Sequence, residues 1–133
     1  MPWVEVFVAF VVCHLAGDYV LQTDWQARHK HGGLWGSRPL ARRALFTHVT
    51  TYTLAFAPAF VWLGSDLGAG VIWAAAVVFV PHLVQDDGRL LDVYMRRIKG
   101  LEPVGGRWVD AMVDQSFHVL TLFGLALLVA AAT

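Results

Sequence analysis

The chain has 133 residues, of which 57% are apolar, and its mean hydropathy of +0.55 takes it out of the ordinary soluble class. Ten Lys and Arg balance ten Asp and Glu, so no cationic excess is available to neutralise phosphates, which argues against nucleic acid as a partner. The lone Cys13 excludes an internal disulfide.

Hydropathy predicts four spans, each near the roughly 20 residues needed to cross the hydrocarbon core. The first covers residues 2–22. Pro2 suits an opening helical turn, and Cys13 reads as a small buried hydrophobe. Neither a basic start nor a small-residue cleavage site marks this segment for removal, so an uncleaved span is expected. A loop over residues 23–39 follows, where His29 and His31 flank Lys30 as solvated side chains. The second and third spans cover residues 40–63 and 66–86. Pro58 and Pro81 fall inside them, where proline kinks a helix or frees a carbonyl. Residues 89–99 set Leu90, Leu91, Tyr94 and Ile98 at helical spacing opposite Arg89, Asp92, Arg96 and Lys99, the pattern of an amphipathic surface helix. The fourth span covers residues 109–132. The fold class predicted is all-α: a polytopic membrane four-helix bundle forming a single integral membrane domain, with a short amphipathic interfacial helix between the third and fourth spans.

Every basic residue falls in two places. Arg28, Lys30, Arg38, Arg42 and Arg43 lie in the first long loop and the start of the next helix; Arg89, Arg96, Arg97, Lys99 and Arg107 lie between the last two spans. The positive-inside rule puts both loops in the cytoplasm and both termini outside. Trp25, Trp35 and Trp108 then lie near the cytoplasmic boundary as belt anchors.

Three pairs four residues apart carry the chemistry: His14 with Asp18, His82 with Asp86, and Asp114 with His118. Such spacing puts an imidazole and a carboxylate on one helix face. At a rise of about 1.5 Å per residue, His14 and Asp18 lie about 12 and 6 Å from the cytoplasmic end of their helix, and His48 about 11 Å. His82 and Asp86 lie toward the same end of theirs, and Asp114 and His118 about 8 and 13 Å in. One layer results, with the carboxylate of each pair nearer the cytoplasm.

Ionisable groups at such depth need a compensating partner or ion. His14, Asp18, His48, His82, Asp86, Asp114 and His118 offer donors enough for one divalent metal and for two, with zinc first and manganese or iron next. Direct His–Asp bonding between helices is the competing account; three pairs at one depth favour the metal. Asp87 points about 100° away from Asp86, and Asp110 lies one turn outward, where it suits a helix cap. Gln22, Gln85 and Gln115 adjoin the pairs as candidate supporting hydrogen-bond partners.

The run His14-Leu15-Ala16-Gly17-Asp18-Tyr19-Val20-Leu21-Gln22-Thr23-Asp24-Trp25, with Lys30, His48, His82, Asp86 and Asp114-Gln115-Ser116-Phe117-His118, resembles the small bacterial and phage membrane proteins of domain-of-unknown-function family 3307. That resemblance implies a bacterial inner-membrane protein. The His-x-x-x-Asp helices are also similar to those of the membrane-bound metal-dependent hydrolases, which implies hydrolysis. The leading expectation is a hydrolase with the four histidines, Asp18 and Asp86 as ligands and Asp114 as ligand or general base. Its depth favours a lipid phosphoester or another membrane-borne bond. Arg42, Arg43, Arg89 and Arg107 could hold a phosphate, although topology already accounts for them. A haem carrier with histidine axial ligands, a proton or ion pathway, and a non-catalytic membrane protein are the alternatives. Four spans make a small transporter, so that alternative calls for a homo-oligomer.

Overall fold

The computed structural model describes residues 1–104 and 106–133, and within them all regular structure is helical. The first helix, α1 (Trp3–Leu15), passes directly into a π-helical turn, Ala16–Val20, in which the Leu21 amide donates to the Ala16 carbonyl at 2.9 Å. This widened turn sets the direction of Asp18, as described below.

The segment expected as an open loop contains a helix, α2 (Asp24–His29). Its cause is local: the Gln26 amide donates to Thr23 Oγ1 at 3.2 Å, and the Thr23 amide donates to Gln26 Oε1 at 2.9 Å. This capping box satisfies two helix-end donors at once. The loop beyond it is tied down by Asp87, whose side chain accepts from the Leu34 amide and whose carbonyl accepts from Gly32.

The second predicted span is divided into α3 (Pro39–Ala55) and α4 (Ala57–Leu67). Pro58 is the reason: it has no amide hydrogen for the Leu54 carbonyl, and its ring crowds that carbonyl. Proline thus opens α4 instead of kinking one long helix. Gly68, at φ 53° and ψ −128°, ends α4 in a conformation open to glycine, and a single 3₁₀ turn (Gly68–Gly70) starts α5 (Val71–Asp86). The chain reverses there, since α5 packs back along α3 and His82 meets His48. Pro81 lies within α5, which continues through it.

After Gly88, α6 (Arg89–Arg97) forms the expected amphipathic helix, two residues shorter than predicted. Its inward face differs from the expected one. Met95 is fully buried, Tyr94 packs edge-on to Phe117, and Leu91 is half-buried, whereas Leu90, Val93 and Ile98 point outward. The last helix, α7 (Trp108–Ala132), runs antiparallel to α1, with Trp3 and Phe7 against Phe123. Consequently the ends meet: the Met1 ammonium donates to Thr133 Oγ1 at 3.0 Å.

Three stretches are long and apolar enough to cross a membrane: Trp3–Val20, Ala57–Asp86 and Trp108–Ala132. The middle one contains the reversal at Gly68. α3 is not among them, because Arg42, Arg43, His48 and four threonines dilute it. Burial is inverted relative to a water-soluble fold. His14, His48, His82, Asp86 and His118 are buried, while Val8, Val12, Val61, Ile72 and Leu120 are more than half exposed. The polar group separates two apolar clusters, one around Phe10, Tyr52, Phe56 and Leu125, the other around Leu45, Val49 and Leu83.

Candidate metal centre

Four helical elements deliver side chains to one point: Asp18 from the π turn, His48 from α3, His82 and Asp86 from α5, and Asp114 and His118 from α7. Asp86 Oδ2 lies 2.8 Å from His48 Nε2 and 3.2 Å from His82 Nε2; Asp18 Oδ1 lies 3.2 and 3.3 Å from the same two nitrogens. The two Nε2 atoms are 3.2 Å apart. A cation about 2.0–2.1 Å from four tetrahedral donors separates them by about 3.3–3.4 Å. The spacing is therefore that of a single coordination sphere. Asp18 Oδ1 is buried without a hydrogen-bond partner, as a carboxylate awaiting a cation would be.

A second group adjoins the first. Asp86 Oδ1 faces His118 Nε2 at 3.2 Å, and Asp114 completes a set of three donors. With the imidazoles neutral, the carboxylates of Asp18, Asp86 and Asp114 face a single fixed cation. That cation is Lys30, whose Nζ donates to Asp86 Oδ2 at 2.7 Å and to Gln22 Oε1 at 3.4 Å. On that count two negative charges stay uncompensated, which one divalent ion or two imidazolium protons would balance.

His14, expected as a ligand, stands beside the donors and not among them. Its Nδ1 meets Tyr52 Oη at 3.1 Å and its Nε2 meets Gln115 Oε1 at 2.8 Å, so both ring nitrogens are engaged by protein. Gln115 also donates to Asp18 Oδ2 at 3.2 Å and links the two. The widened π turn explains the split: Asp18 swings toward α3 and α5 while His14 stays against Tyr52, and the two remain 3.8 Å apart.

Tyr52 was not anticipated. Its ring stacks on His82 with centroids 3.4 Å apart and planes 5° apart, and it holds that imidazole by its face. The Nδ1 atoms of His48 and His82 find no hydrogen-bond partner among the described residues. The four-residue spacing of His48 and Tyr52 was the signal available in the sequence. Lys30 had no comparable signal as a partner of Asp86, because it reaches the centre from beyond α2.

Other candidates lie elsewhere. Gln85 donates to the Phe117 carbonyl and to Thr121, and Arg107 pairs with Asp110. His29 binds the Trp25 carbonyl and His31 meets Asp92, both outside the centre. Arg42 donates to the Gly36 carbonyl, and Arg89 lies 3.6 Å from Asp87. Arg42 and Arg43 line a groove of about 480 Å³ that no donor residue reaches.

Access comes from the loop side. A pocket of about 160 Å³ is lined by Lys30, Asp86, Leu91 and Asp114, and an adjoining one of about 650 Å³ by Leu91, Arg107, Trp108 and Asp114. Asp114 borders both, with about a quarter of its side chain exposed. This approach beside α6 therefore ends at Asp114 and Asp86, while Asp18, His48 and His82 line neither pocket.

These features define a class: an all-helical protein with membrane-length apolar stretches around a buried His/Asp cluster. The chain belongs to the family described as "Protein of unknown function (DUF3307)", whose profile matches residues 6–133. No curated protein and no solved structure matches it.

Proposed function

We propose that the protein is a membrane-embedded, metal-dependent hydrolase of the bacterial inner membrane, using zinc in preference to manganese or iron and acting on a lipid phosphoester or similar membrane-borne bond. One observation carries this reading: His48 Nε2, His82 Nε2, Asp18 Oδ1 and Asp86 Oδ2 converge at the spacing of a coordination sphere. A divalent cation held by this cluster would polarise the bond under attack and bring a bound water's pKa toward neutrality. The chain supplies the rest. Asp114, on the pocket wall, is placed to ligate the cation or to take a proton from that water, and Lys30 is placed to hold an anionic substrate group. Leu91 of α6 covers the approach and limits bulk water.

Four crossings fit the fold best. The contact between Met1 and Thr133 calls for an even number of passes, and α3 with α4 supplies the one that apolarity alone does not mark. The positive-inside rule then sets the pocket at the cytoplasmic leaflet. Val8, Val12 and Leu120, which point outward, would then meet lipid.

A proton pathway is the second reading, favoured by the unbroken chain of contacts from His118 through Asp86 to Lys30. Haem fits poorly, because direct contacts among imidazoles and carboxylates leave no slot for a macrocycle. Elemental analysis of protein purified without added metal tests the proposal, together with phosphate release from phospholipid vesicles. Stoichiometric metal and metal-dependent release are expected. Metal-free protein that conducts protons in liposomes would transfer the cluster to the second reading.

A further inference from the structure

We propose that the centre is built for two cations bridged by Asp86: an inner one held by Asp18, His48 and His82, and an outer one held by His118 and Asp114 at the floor of the pocket. This rests on the metal reading above and assigns its two halves different tasks.

The two oxygens of Asp86 serve different donor sets. Oδ2 faces His48 and His82 at 2.8 and 3.2 Å, whereas Oδ1 faces His118 Nε2 at 3.2 Å. A carboxylate used through both oxygens in this way holds ions about 3.5–4 Å apart, the separation of two-metal hydrolytic sites. His118 adds an independent observation. Its Nδ1 lies 2.8 Å from the Asp114 carbonyl and must be the protonated nitrogen there, which leaves Nε2 as a lone pair in the neutral ring. That lone pair is buried, has no hydrogen-bond partner and points at a carboxylate oxygen. With the ring neutral, two acceptors would face each other at contact distance, an arrangement that a metal cation or a proton between them resolves.

The donor counts separate the roles. Four protein ligands close the inner position, as in structural sites, while three leave the outer one open, as in catalytic sites. Of the donors, the bridging Asp86 and the outer Asp114 line the 160 Å³ pocket, beside Lys30, whereas Asp18, His48 and His82 do not. One divalent ion already balances the three carboxylates and Lys30, so a second leaves an excess of two positive charges at the pocket floor. An anionic substrate group, such as a phosphoryl oxygen, supplies the balance. The outer ion is thus the one that meets substrate.

Titration of the full chain in detergent, stripped of metal and loaded with Mn²⁺ alone, tests this by stoichiometry and by electron paramagnetic resonance. Wild type should bind two equivalents and show an exchange-coupled spectrum. His118→Ala and the milder Asp114→Asn should each lose one equivalent of the two and show an isolated six-line signal. Inorganic phosphate should tighten the second equivalent and leave the first unchanged. One equivalent in wild type, retained in both variants, overturns the bridged pair while leaving the inner site standing; no bound Mn²⁺ at all, with Zn²⁺ likewise unbound in a parallel titration, overturns the metal reading itself. Equal phosphate effects on both equivalents remove the assignment of the outer ion to substrate.

Discussion

Gly17→Ala adds one methyl group at the point where the π turn touches α3. A Cβ there would lie 2.6 Å from Tyr52 Cδ2 and 3.3 Å from Tyr52 Cα, against about 3.5–4.0 Å for carbon atoms in contact. Relief needs a shift of about 1 Å, and Tyr52 has little freedom to give it. The residue is 1% exposed, its ring lies on His82 with centroids 3.4 Å apart, and its hydroxyl meets His14. Overpacking of this kind costs about 1–3 kcal/mol. Because Tyr52 orients His82, metal affinity should also fall by about 10–100-fold, the usual effect of disturbing a group that supports a ligand. Gly124→Ala is the matched control: nothing lies within 4 Å of its Cβ, and alanine in a helix interior gains about 0.5–1 kcal/mol over glycine. Thermal unfolding in detergent, with and without added divalent cation, should show opposite signs for the two variants. A Gly17→Ala protein that melts and binds metal like wild type would refute the close-packing account. Equal losses in both variants would refute its localisation to Tyr52.

His48→Ala and His82→Ala should each abolish stoichiometric metal at the inner position, whereas His29→Ala and His31→Ala should retain it; elemental analysis of the four proteins decides this. Lys30→Ala leaves Asp86 buried without its ammonium partner and should cost about 3–5 kcal/mol in metal-free protein. Added divalent cation should recover more stability in that variant than in wild type, as read from paired melting curves. Single cysteines introduced at Gly64 and Lys99 in a Cys13→Ser background should label from opposite sides of the membrane, Gly64 from outside intact cells. Labelling of Lys99 from outside would invert the orientation.

The meeting of helices was legible because apolar run length and a fixed rise per residue leave little freedom, and Asp18, His48, His82, Asp86 and His118 do come together. Partner identity was less legible. Spacing of four put each pair on one face, but only His82–Asp86, at 3.2 Å, is in contact within its pair; His14–Asp18 and Asp114–His118 stand at 3.8 and 3.9 Å while contacts between helices are 2.8–3.3 Å. Side chains on one face lean toward the bundle axis together and meet whatever the facing helix offers. His14 was assigned to the ligand set because an ordinary α-helical register was assumed through Ala16–Val20, and no residue there announces the extra backbone unit of a π turn. The Thr23-x-x-Gln26 capping box was, by contrast, present in the sequence as a helix signal within the segment read as loop. The division at Phe56 follows from Pro58 once its choice between kinking and starting a helix is known, which depends on packing against α1 and α5.

The meeting of Met1 with Thr133 makes the molecule a closed circuit in all but one covalent link. A short linker could join these ends, and the chain could be reopened at Gly68–Gly70, where no Cβ clash opposes added residues at Gly68. Circular permutation is tolerated where ends are adjacent and the new break lies in an exposed turn. In the proposed four-pass topology the old ends and the new break lie on the same face, so no helix would have to be reinserted in the opposite sense. The order in which helices leave the ribosome could then be separated from the arrangement they reach, with the His/Asp layer serving as an internal reporter that the same circuit has closed.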